Sequence, residues 1–166
     1  MINGFLNISR LESGKIHLVQ SEFDFSELIE EVCIDYKLQY STHHINHSNA
    51  QSAIITADRL KIAQVVNNLV GNAVKYSEIG TRINISYAVN DQYLTVNINN
   101  EGMGVKPENL KKLFDRYYRV EQESKISGFG IGLYLSAEII EAHRGRIWAE
   151  SIFGLGSSFY FELPLA

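Results

Sequence analysis

The clearest pattern of apolar and polar positions covers residues 58–77, with the sequence DRLKIAQVVNNLVGNAVKYS. Its apolar side chains recur at helical spacing and predict a helix over 58–76; they are Leu60, Ile62, Val65, Val66, Leu69, Val70 and Ala73. Three polar residues, Asn68, Asn72 and Lys75, are separated by four and then three positions. This spacing places two amides and a cation along one face of a core-facing helix, as a polar stripe.

Other segments with helical periodicity lie on both sides of this helix. An amphipathic pattern over 25–40 includes Leu28, Ile29, Val32, Cys33 and Ile34. Asp24 caps the predicted helix, with Glu27 three residues on. Shorter helices are predicted over 1–14, where Gly14 is the stop, and over 107–114 and 130–143.

Alternating apolar and polar residues predict the strands. HHINHS and SAIITA predict two short strands, and TRINISYAV with QYLTVNIN predicts a hairpin around Asn90 and Asp91. GRIWAES and SSFYFELPL predict a second hairpin around Gly154 and Gly156. Helices mixed with two hairpins indicate an α+β fold, a two-layer sandwich in which a mixed, mostly antiparallel sheet is covered on one face by helices.

Composition narrows the class of protein. The chain has 166 residues, of which 45% are hydrophobic, enough for one domain with a sizeable core. A charged fraction of 20% and a net charge of −4 argue against general nucleic-acid binding and a polybasic membrane anchor. Cys33 is the one cysteine, which excludes an internal disulfide, and we expect it in the core. His43, His44 and His47 lack acidic or cysteine neighbours at ligand spacing and are expected at the surface.

The polar stripe needs polar partners if it is half-buried. Amide oxygens suit hard cations and lysine suits phosphate, so a phosphate chain with a divalent metal would fit Asn68, Asn72 and Lys75. A solvated helix face is the alternative on helix geometry alone.

Two glycine-rich segments favour the phosphate interpretation. Gly102 and Gly104 follow the predicted strand 94–99 and let the backbone approach a ligand, although an ordinary turn is the alternative there. Three further glycines lead directly into a helix, which turns N–H groups outward as in phosphate sites; they are Gly128, Gly130 and Gly132. The absence of a βαβ unit and of GK[ST] excludes a Rossmann fingerprint and a Walker loop. The polar stretch 120–127 suits a mobile lid.

Together these segments resemble the ATP-binding catalytic domain of bacterial two-component sensor histidine kinases, in the wider group of gyrase, heat-shock-90 and MutL ATPases. NLVGNAVKYS resembles the N box, NNEGMGV the first glycine box, LFDRYYR the F box, GFGIGL the second glycine box, and GLGSSFYFELP the last glycine segment with the terminal strand. The resemblance extends over nearly the whole chain, and the five motifs follow one another in the expected order. The resemblance implies the Bergerat-type form of the two-layer sandwich.

The resemblance also implies cofactors, ATP and Mg²⁺, and a role for each matching position. It assigns metal coordination to Asn72 and catalytic roles to Asn68, Lys75 and Arg119. Lys75 would reach the phosphates, Asn68 would support the metal site one turn earlier, and Arg119 would meet the γ-phosphate. The positions expected to contact the nucleotide are Asn68, Asn72, Lys75, Tyr76, Asn100, Gly102, Gly104, Tyr118, Gly128, Gly130, Ile131, Gly132, Leu133 and Ser157. Phe114 would anchor the base of the lid.

Two asparagines carry further information. The family usually has Asp where this chain has Asn100, whose side-chain oxygen still accepts a hydrogen bond but whose NH₂ also donates. We therefore expect adenine recognition with weaker or altered base selectivity. Hydrolytic relatives place Glu at position 68 as a general base, whereas an amide takes no proton at neutral pH. Asn68 therefore favours a kinase that holds ATP without efficient hydrolysis.

The segment before the domain resembles the end of a dimerisation helix and its linker, over residues 1–14, with the catalytic domain over 15–166. The acceptor histidine would lie on the first dimerisation helix, and none of the histidines here has that context, so the chain resembles a fragment of a longer kinase. We expect this fragment to be monomeric, although its parent would be a homodimer, because the chain contains only the end of a dimerisation helix. The implied partners are the dimerisation domain of the same protein and, through its histidine, a response regulator receiver domain, without nucleic acid. The resemblance implies a cytoplasmic location whether or not the parent is an inner-membrane sensor.

Two other functions are compatible with the sequence. A degenerate or non-histidine-kinase nucleotide-binding module that acts through partner binding is compatible with Asn100. A hydrolytic ATPase of the gyrase type is disfavoured by Asn68.

Overall fold

The computed structural model describes residues 16–48, 51–120 and 130–165, so the helix predicted over 1–14 and nearly all of the predicted lid lie outside the described residues. The described helices and strands, in chain order, are β1 (Ser21–Asp24), α1 (Phe25–Gln39), β2 (His44–His47), β3 (Ile54–Ala57), α2 (Arg59–Lys75), β4 (Arg82–Val89), β5 (Tyr93–Asn100), α3 (Pro107–Leu110), α4 (Gly132–Ala142), β6 (Arg146–Ile152) and β7 (Gly156–Pro164).

Five strands form the main sheet in the order β2-β4-β5-β7-β6. The edge strand β2 is parallel to β4, and the other pairs of this sheet are antiparallel. β1 and β3 form a separate two-stranded antiparallel sheet. Both predicted hairpins are present, and the two-layer α+β sandwich with a mostly antiparallel sheet is confirmed.

The core lies between one face of the sheet and the helices. Alternate residues of β5 and β7 are buried, and the apolar face of α2 packs against them. The largest of these fully buried side chains include Phe161, Leu69, Leu94 and Ile98. Each side chain of this kind contributes roughly 1.5–3 kcal/mol through its removal from water. This packing fixes α2 across the sheet and so fixes the orientation of its polar stripe.

Cys33 is buried on α1, as predicted. Burial raises the pKa of its thiol to about 11, because the thiolate would lose its hydration. The thiol is therefore protonated at neutral pH and acts as a small apolar side chain.

The structure corrects the bounds of two predicted helices. The helix predicted over 107–114 ends at Leu110, and turns continue through Phe114. The helix predicted over 130–143 begins at Gly132, because Gly130 has a positive φ of 67° and Ile131 is the N-cap. A helix cannot contain a residue in the left-handed region, so Gly130 ends the preceding loop.

The strand β1 has no counterpart among the predicted elements. Its residues SEFD run from exposed to half-buried without alternation, and its partner β3 lies more than thirty positions downstream. No local pattern in the sequence indicates such a pairing.

None of the helices in the described ranges has the length and apolar character needed to cross a membrane.

Candidate functional site

The polar stripe predicted on α2 is present and lies at the border of the core. Asn68, Asn72 and Lys75 are half-buried, whereas Leu69 and Ala73 beside them are buried. Lys75 also places its ammonium 5.2 Å from the centre of the Tyr76 ring, a cation–π contact at the end of the helix. The stripe therefore offers two amides and a cation that are partly shielded from water.

Asn68 joins this stripe to the second glycine segment. Its Nδ2 donates to the carbonyl oxygen of Gly132 and to Oγ of Ser136, each over 3.2 Å. A Cβ on Gly132 would lie 3.8 Å from Cγ of Asn68, an ordinary van der Waals distance. The first turn of α4 thus lies against α2 at the position of Asn68, and local packing does not require glycine at 132.

The first glycine segment closes around the other end of the stripe. Tyr76 is the C-cap of α2, and Ser77 after it forms a β-bridge with Gly102. A Cβ on Gly102 would overlap the carbonyl oxygen of Tyr76 and lie 2.5 Å from Nδ2 of Asn100. This close approach requires glycine, so position 102 fixes the loop against the end of the helix.

Gly104 is also required by its surroundings. Its φ is +69°, and a Cβ there would overlap the carbonyl oxygen of Ile152 and lie 3.0 Å from Cα of Phe153. The segment from Gly102 to Gly104 is therefore held between the end of α2 and the turn after β6.

Asn100 and Ser157 lie side by side at the end of the sheet. They face each other in the register of β5 and β7, and only 4% of Asn100 and 6% of Ser157 is exposed. Oγ of Ser157 lies 3.1 Å from Oγ of Ser151, which donates to the carbonyl oxygen of Gly156. A buried amide next to two hydroxyls gives this end of the site a polar floor that both donates and accepts hydrogen bonds.

The base of the predicted lid contacts the start of α4. The N–H of Tyr117 donates to the carbonyl oxygen of Gly130 over 3.1 Å, and a Cβ on Gly130 would lie 2.8 Å from the carbonyl oxygen of Tyr118. The Tyr118 hydroxyl donates to Oδ1 of Asn109 over 2.8 Å, and Arg119 is exposed beside Gly130. The residues before and after the lid stretch therefore meet at Gly130.

Apolar side chains support this junction. The ring of Phe114 packs edge-on against Phe159, with their centres 6.5 Å apart, and both Phe114 and Leu133 pack against the core. Ile131 is half-buried at the N-cap of α4. Gly128, another predicted nucleotide contact, lies outside the described residues.

Two residues that connect α4 to α2 and its N-cap were not among the predicted site residues. Ser136 is fully buried one turn after Gly132, and its hydroxyl contacts Asn68. His143 is the C-cap of α4; it is 7% exposed, and its ring accepts a hydrogen bond from the backbone N–H of Asp58. A lone serine or histidine in an apolar helix indicated neither contact, because both partners are distant in sequence.

The arrangement suits an elongated anionic ligand. One end would meet the buried polar pair Asn100 and Ser157, and the other would meet Asn68 and the N-terminal end of α4, where backbone N–H groups favour phosphate. Lys75 lies between Asn68 and the C-cap Tyr76 along α2, where its ammonium can offset the charge of the ligand. The glycine turns at 102 and 104 leave backbone close to the ligand between them.

Comparisons with known proteins agree with this geometry. Residues 57–166 match the model of the family described as histidine kinase-, DNA gyrase B- and HSP90-like ATPases. The sensor protein kinase WalK of Staphylococcus epidermidis is 32% identical over 169 residues, which cover 99% of this chain and 28% of WalK. WalK of Staphylococcus haemolyticus is 31% identical with the same coverage. The chain thus spans under a third of the length of these relatives.

Solved structures share the fold. The nucleotide-free catalytic domain of the histidine kinase ThkA superposes with a TM-score of 0.78 at 28% identity, over 89% of this chain and 98% of that one. A structure of ThkA in complex with the response regulator protein TrrA has a TM-score of 0.78 at 27% identity, over 98% of this chain and 47% of that one. Because the family model covers most of the sequence, this chain belongs to the histidine kinase-, DNA gyrase B- and HSP90-like ATPase family.

Proposed function

We propose that residues 15–166 are the ATP-binding catalytic domain of a sensor histidine kinase, preceded over 1–14 by the end of a dimerisation helix and its linker. The domain would transfer the γ-phosphoryl group of ATP to a histidine of the dimerisation domain of its parent protein. The observation that carries this proposal is the contact of Asn68 with the first turn of α4, which joins the amide–lysine stripe to the second glycine segment.

The nucleotide would lie between the end of the sheet and the start of α4. Asn100 and Ser157 would contact the adenine, with Tyr76 beside it and the backbone of Gly102 and Gly104 around it. The phosphates would lie toward Lys75 and the segment 130–133, with Tyr118 and Arg119 at the base of the lid. This order supports the roles expected of these positions, since Asn68 contacts the first turn of α4, whereas Tyr76 at the C-terminal end of α2 lies against Gly102, which follows Asn100 closely in the chain.

The residues of the stripe fit a magnesium ion that is bound mainly through phosphate. Mg²⁺ prefers hard oxygen ligands, keeps several waters and takes few protein ligands when phosphates are present. Asn72 would supply one amide oxygen, and the half-buried position of its side chain suits a partly hydrated ion. When bound, the ion would supply charge neutralisation at the phosphates.

The residues of this chain would act by positioning and by charge. Lys75 would hold the phosphate chain and offset its negative charge, and the N–H groups at the start of α4 would orient it. Asn68 cannot take a proton from water at neutral pH, so it does not supply the general base that hydrolysis needs. The acceptor histidine would come from the dimerisation domain, and a response regulator would then take the phosphoryl group in the cytoplasm. The similarity to a kinase–regulator complex supports that partner.

Calorimetric titration with a non-hydrolysable ATP analogue, with and without Mg²⁺, tests nucleotide binding. We expect metal-dependent binding by the wild type that Asn72→Ala weakens by at least about tenfold, since one metal ligand is lost. Asn67→Ala is the matched control, because Asn67 is an exposed asparagine on the same helix whose Nδ2 donates to the carbonyl oxygen of Ala63. Absence of binding by a folded wild type would favour the alternative, a degenerate module that acts through partner binding.

Phosphoryl transfer requires a second experiment. A separately supplied dimerisation domain with its acceptor histidine should become phosphorylated in the presence of ATP and this chain. Steady release of phosphate without transfer would indicate a hydrolytic ATPase and contradict the assignment.

A further inference from the structure

Ser136 is fully buried on α4, one turn after Gly132. Its Oγ donates to the carbonyl oxygen of Gly132 over 2.9 Å and accepts from Nδ2 of Asn68 over 3.2 Å. A serine hydroxyl has one proton, and here that proton is directed at its own helix. The lone pairs of Oγ are therefore left to accept the hydrogen bond from Asn68.

These contacts determine the orientation of the Asn68 amide. Nδ2 has two protons, and its two acceptors on α4 are the Ser136 hydroxyl and the carbonyl oxygen of Gly132. A rotated amide would place Oδ1 against two oxygen atoms, one of which is a carbonyl that cannot donate. In the observed orientation Nδ2 makes both of these hydrogen bonds, and Oδ1 makes neither of them.

We propose that Ser136 is a positioning residue for the nucleotide site. It holds the side-chain amide of Asn68 so that Oδ1 faces the position of the nucleotide phosphates. There Oδ1 accepts hydrogen bonds from the water shell of the nucleotide-bound divalent cation, one turn before Asn72. The inference rests on the proposed function, and it adds a residue that does not itself touch nucleotide or metal. Ser136 thereby affects metal-dependent binding more than metal-independent binding.

Calorimetry with a non-hydrolysable ATP analogue, in saturating Mg²⁺ and in EDTA, measures this difference. We expect Ser136→Ala to weaken binding about tenfold in Mg²⁺, as for other residues that orient a metal-site group, and to change it less than about twofold in EDTA. Ser136→Thr keeps the hydroxyl and should restore most of the affinity. Ser86→Ala is the control, since Ser86 is half-buried on β4 on a different part of the fold.

A double mutant separates positioning from packing. If Ser136 acts through Asn68, Ser136→Ala should cause no additional loss in a chain that already carries Asn68→Ala. Equal losses in Mg²⁺ and in EDTA, or a full additional loss in the Asn68→Ala background, would mean that Ser136 only packs α4, and would overturn the proposal.

The side-chain NH₂ signals of Asn68 in the nucleotide-free protein give a readout that is independent of binding. In ¹⁵N–¹H spectra they should exchange slowly with water in the wild type and in Ser136→Thr, and several-fold faster in Ser136→Ala. If the Asn68 NH₂ protons exchange slowly in a wild type that binds no nucleotide, the proposed function is overturned, but the contact of Ser136 with the Asn68 amide still holds. Unchanged exchange and unchanged affinity in Ser136→Ala, with a wild type that binds, would overturn the role of Ser136 alone.

Discussion

The imidazole of His143 accepts a hydrogen bond from the backbone N–H of Asp58 over 3.0 Å, which joins the end of α4 to the start of α2. Because Nε2 accepts, Nδ1 carries the proton and donates to the carbonyl oxygen of Ile139 over 2.7 Å. The Asp58 carboxylate in turn caps α2 through the N–H of Lys61 and accepts from the N–H of Val19. One buried pair therefore fixes the helix that carries the polar stripe relative to α4.

Replacing His143 with alanine should destabilise the fold. The substitution removes the acceptor for a buried N–H, and an unsatisfied group of this kind costs about 1–3 kcal/mol. We expect a decrease of that size in the free energy of unfolding, measured by urea titration. His44→Ala on the exposed edge strand is the control and should change it by less than about 0.5 kcal/mol. Equal effects of the two substitutions would contradict a structural role for His143.

The carboxylate of Asp24 should make stability depend on pH. It accepts from the Ser52 hydroxyl, from the hydroxyl and N–H of Ser26, and from the N–H of Ala53 over 3.0 Å. Hydrogen bonds from Ser52 and Ser26 hold the pKa of Asp24 well below its usual range, because they favour the charged form. A lowered pKa in the folded state means that this contribution is complete above the ordinary value of about 4 and is lost as the pH falls below it.

We therefore expect Asp24→Ala to reduce the free energy of unfolding at pH 7 by about 1–2 kcal/mol, the usual cost of losing an N-cap. The difference from the wild type should shrink when the titration is repeated below pH 4. Asp24→Asn keeps a side-chain acceptor and should lie between the two at pH 7. A difference that stays constant across this range would show that the charge of Asp24 has no part in it.

Arg144 has a backbone conformation that favours glycine. Its φ is +61°, and it follows the C-cap of α4, where its N–H donates to the carbonyl oxygen of Glu141. A side chain in the left-handed region costs roughly 1–2 kcal/mol. Arg144→Gly should therefore raise the free energy of unfolding by about 1 kcal/mol, measured by thermal and urea unfolding. Arg144→Ala retains the Cβ and loses the charge, so a similar gain in both variants would refute the backbone explanation.

The parts of the fold that the sequence predicted are those with a repeating local pattern. The periodicity of α2 and the alternation in β4, β5, β6 and β7 gave elements whose ends differ from the structure by only a few residues. In contrast, β1 depends on pairing with β3, and the shortened α3 depends on turns that its apolar residues do not indicate. Strand pairing between distant segments and the geometry of turns are difficult to predict from a single sequence.

The candidate site likewise has some features that the sequence predicts and others that only the structure shows. The spacing of Asn68, Asn72 and Lys75 follows from helix geometry, so their common face was predictable. Glycine is required at 102 because the carbonyl oxygen of Tyr76 lies against it. This close approach depends on the β-bridge between Ser77 and Gly102, which no local sequence pattern indicates. The contact between Ser136 and Asn68 joins helices far apart in the chain, and only the packed structure shows it.

Asn100 should determine how strictly the site selects its base. It is almost completely buried at the end of β5, next to Ser157, and its amide both donates and accepts. The oxygen can accept from the amino group of adenine, whereas the NH₂ can donate to the carbonyl oxygen of guanine. A carboxylate at this position would only accept and would repel the guanine oxygen.

Titrations of ATP and GTP analogues against three forms of the chain test this expectation. Asn100→Asp should raise the ratio of ATP to GTP affinity about tenfold, a change of about 1.4 kcal/mol in relative binding. Asn100→Ala should weaken ATP binding and bring the ratio of ATP to GTP affinity toward one, because no side-chain group at this position then forms a hydrogen bond with the base. Thermal unfolding of each variant must show a folded protein, since Asp places a charge at a buried position. An Asn100→Ala variant with the wild-type ATP affinity and the wild-type ratio would remove Asn100 from base recognition.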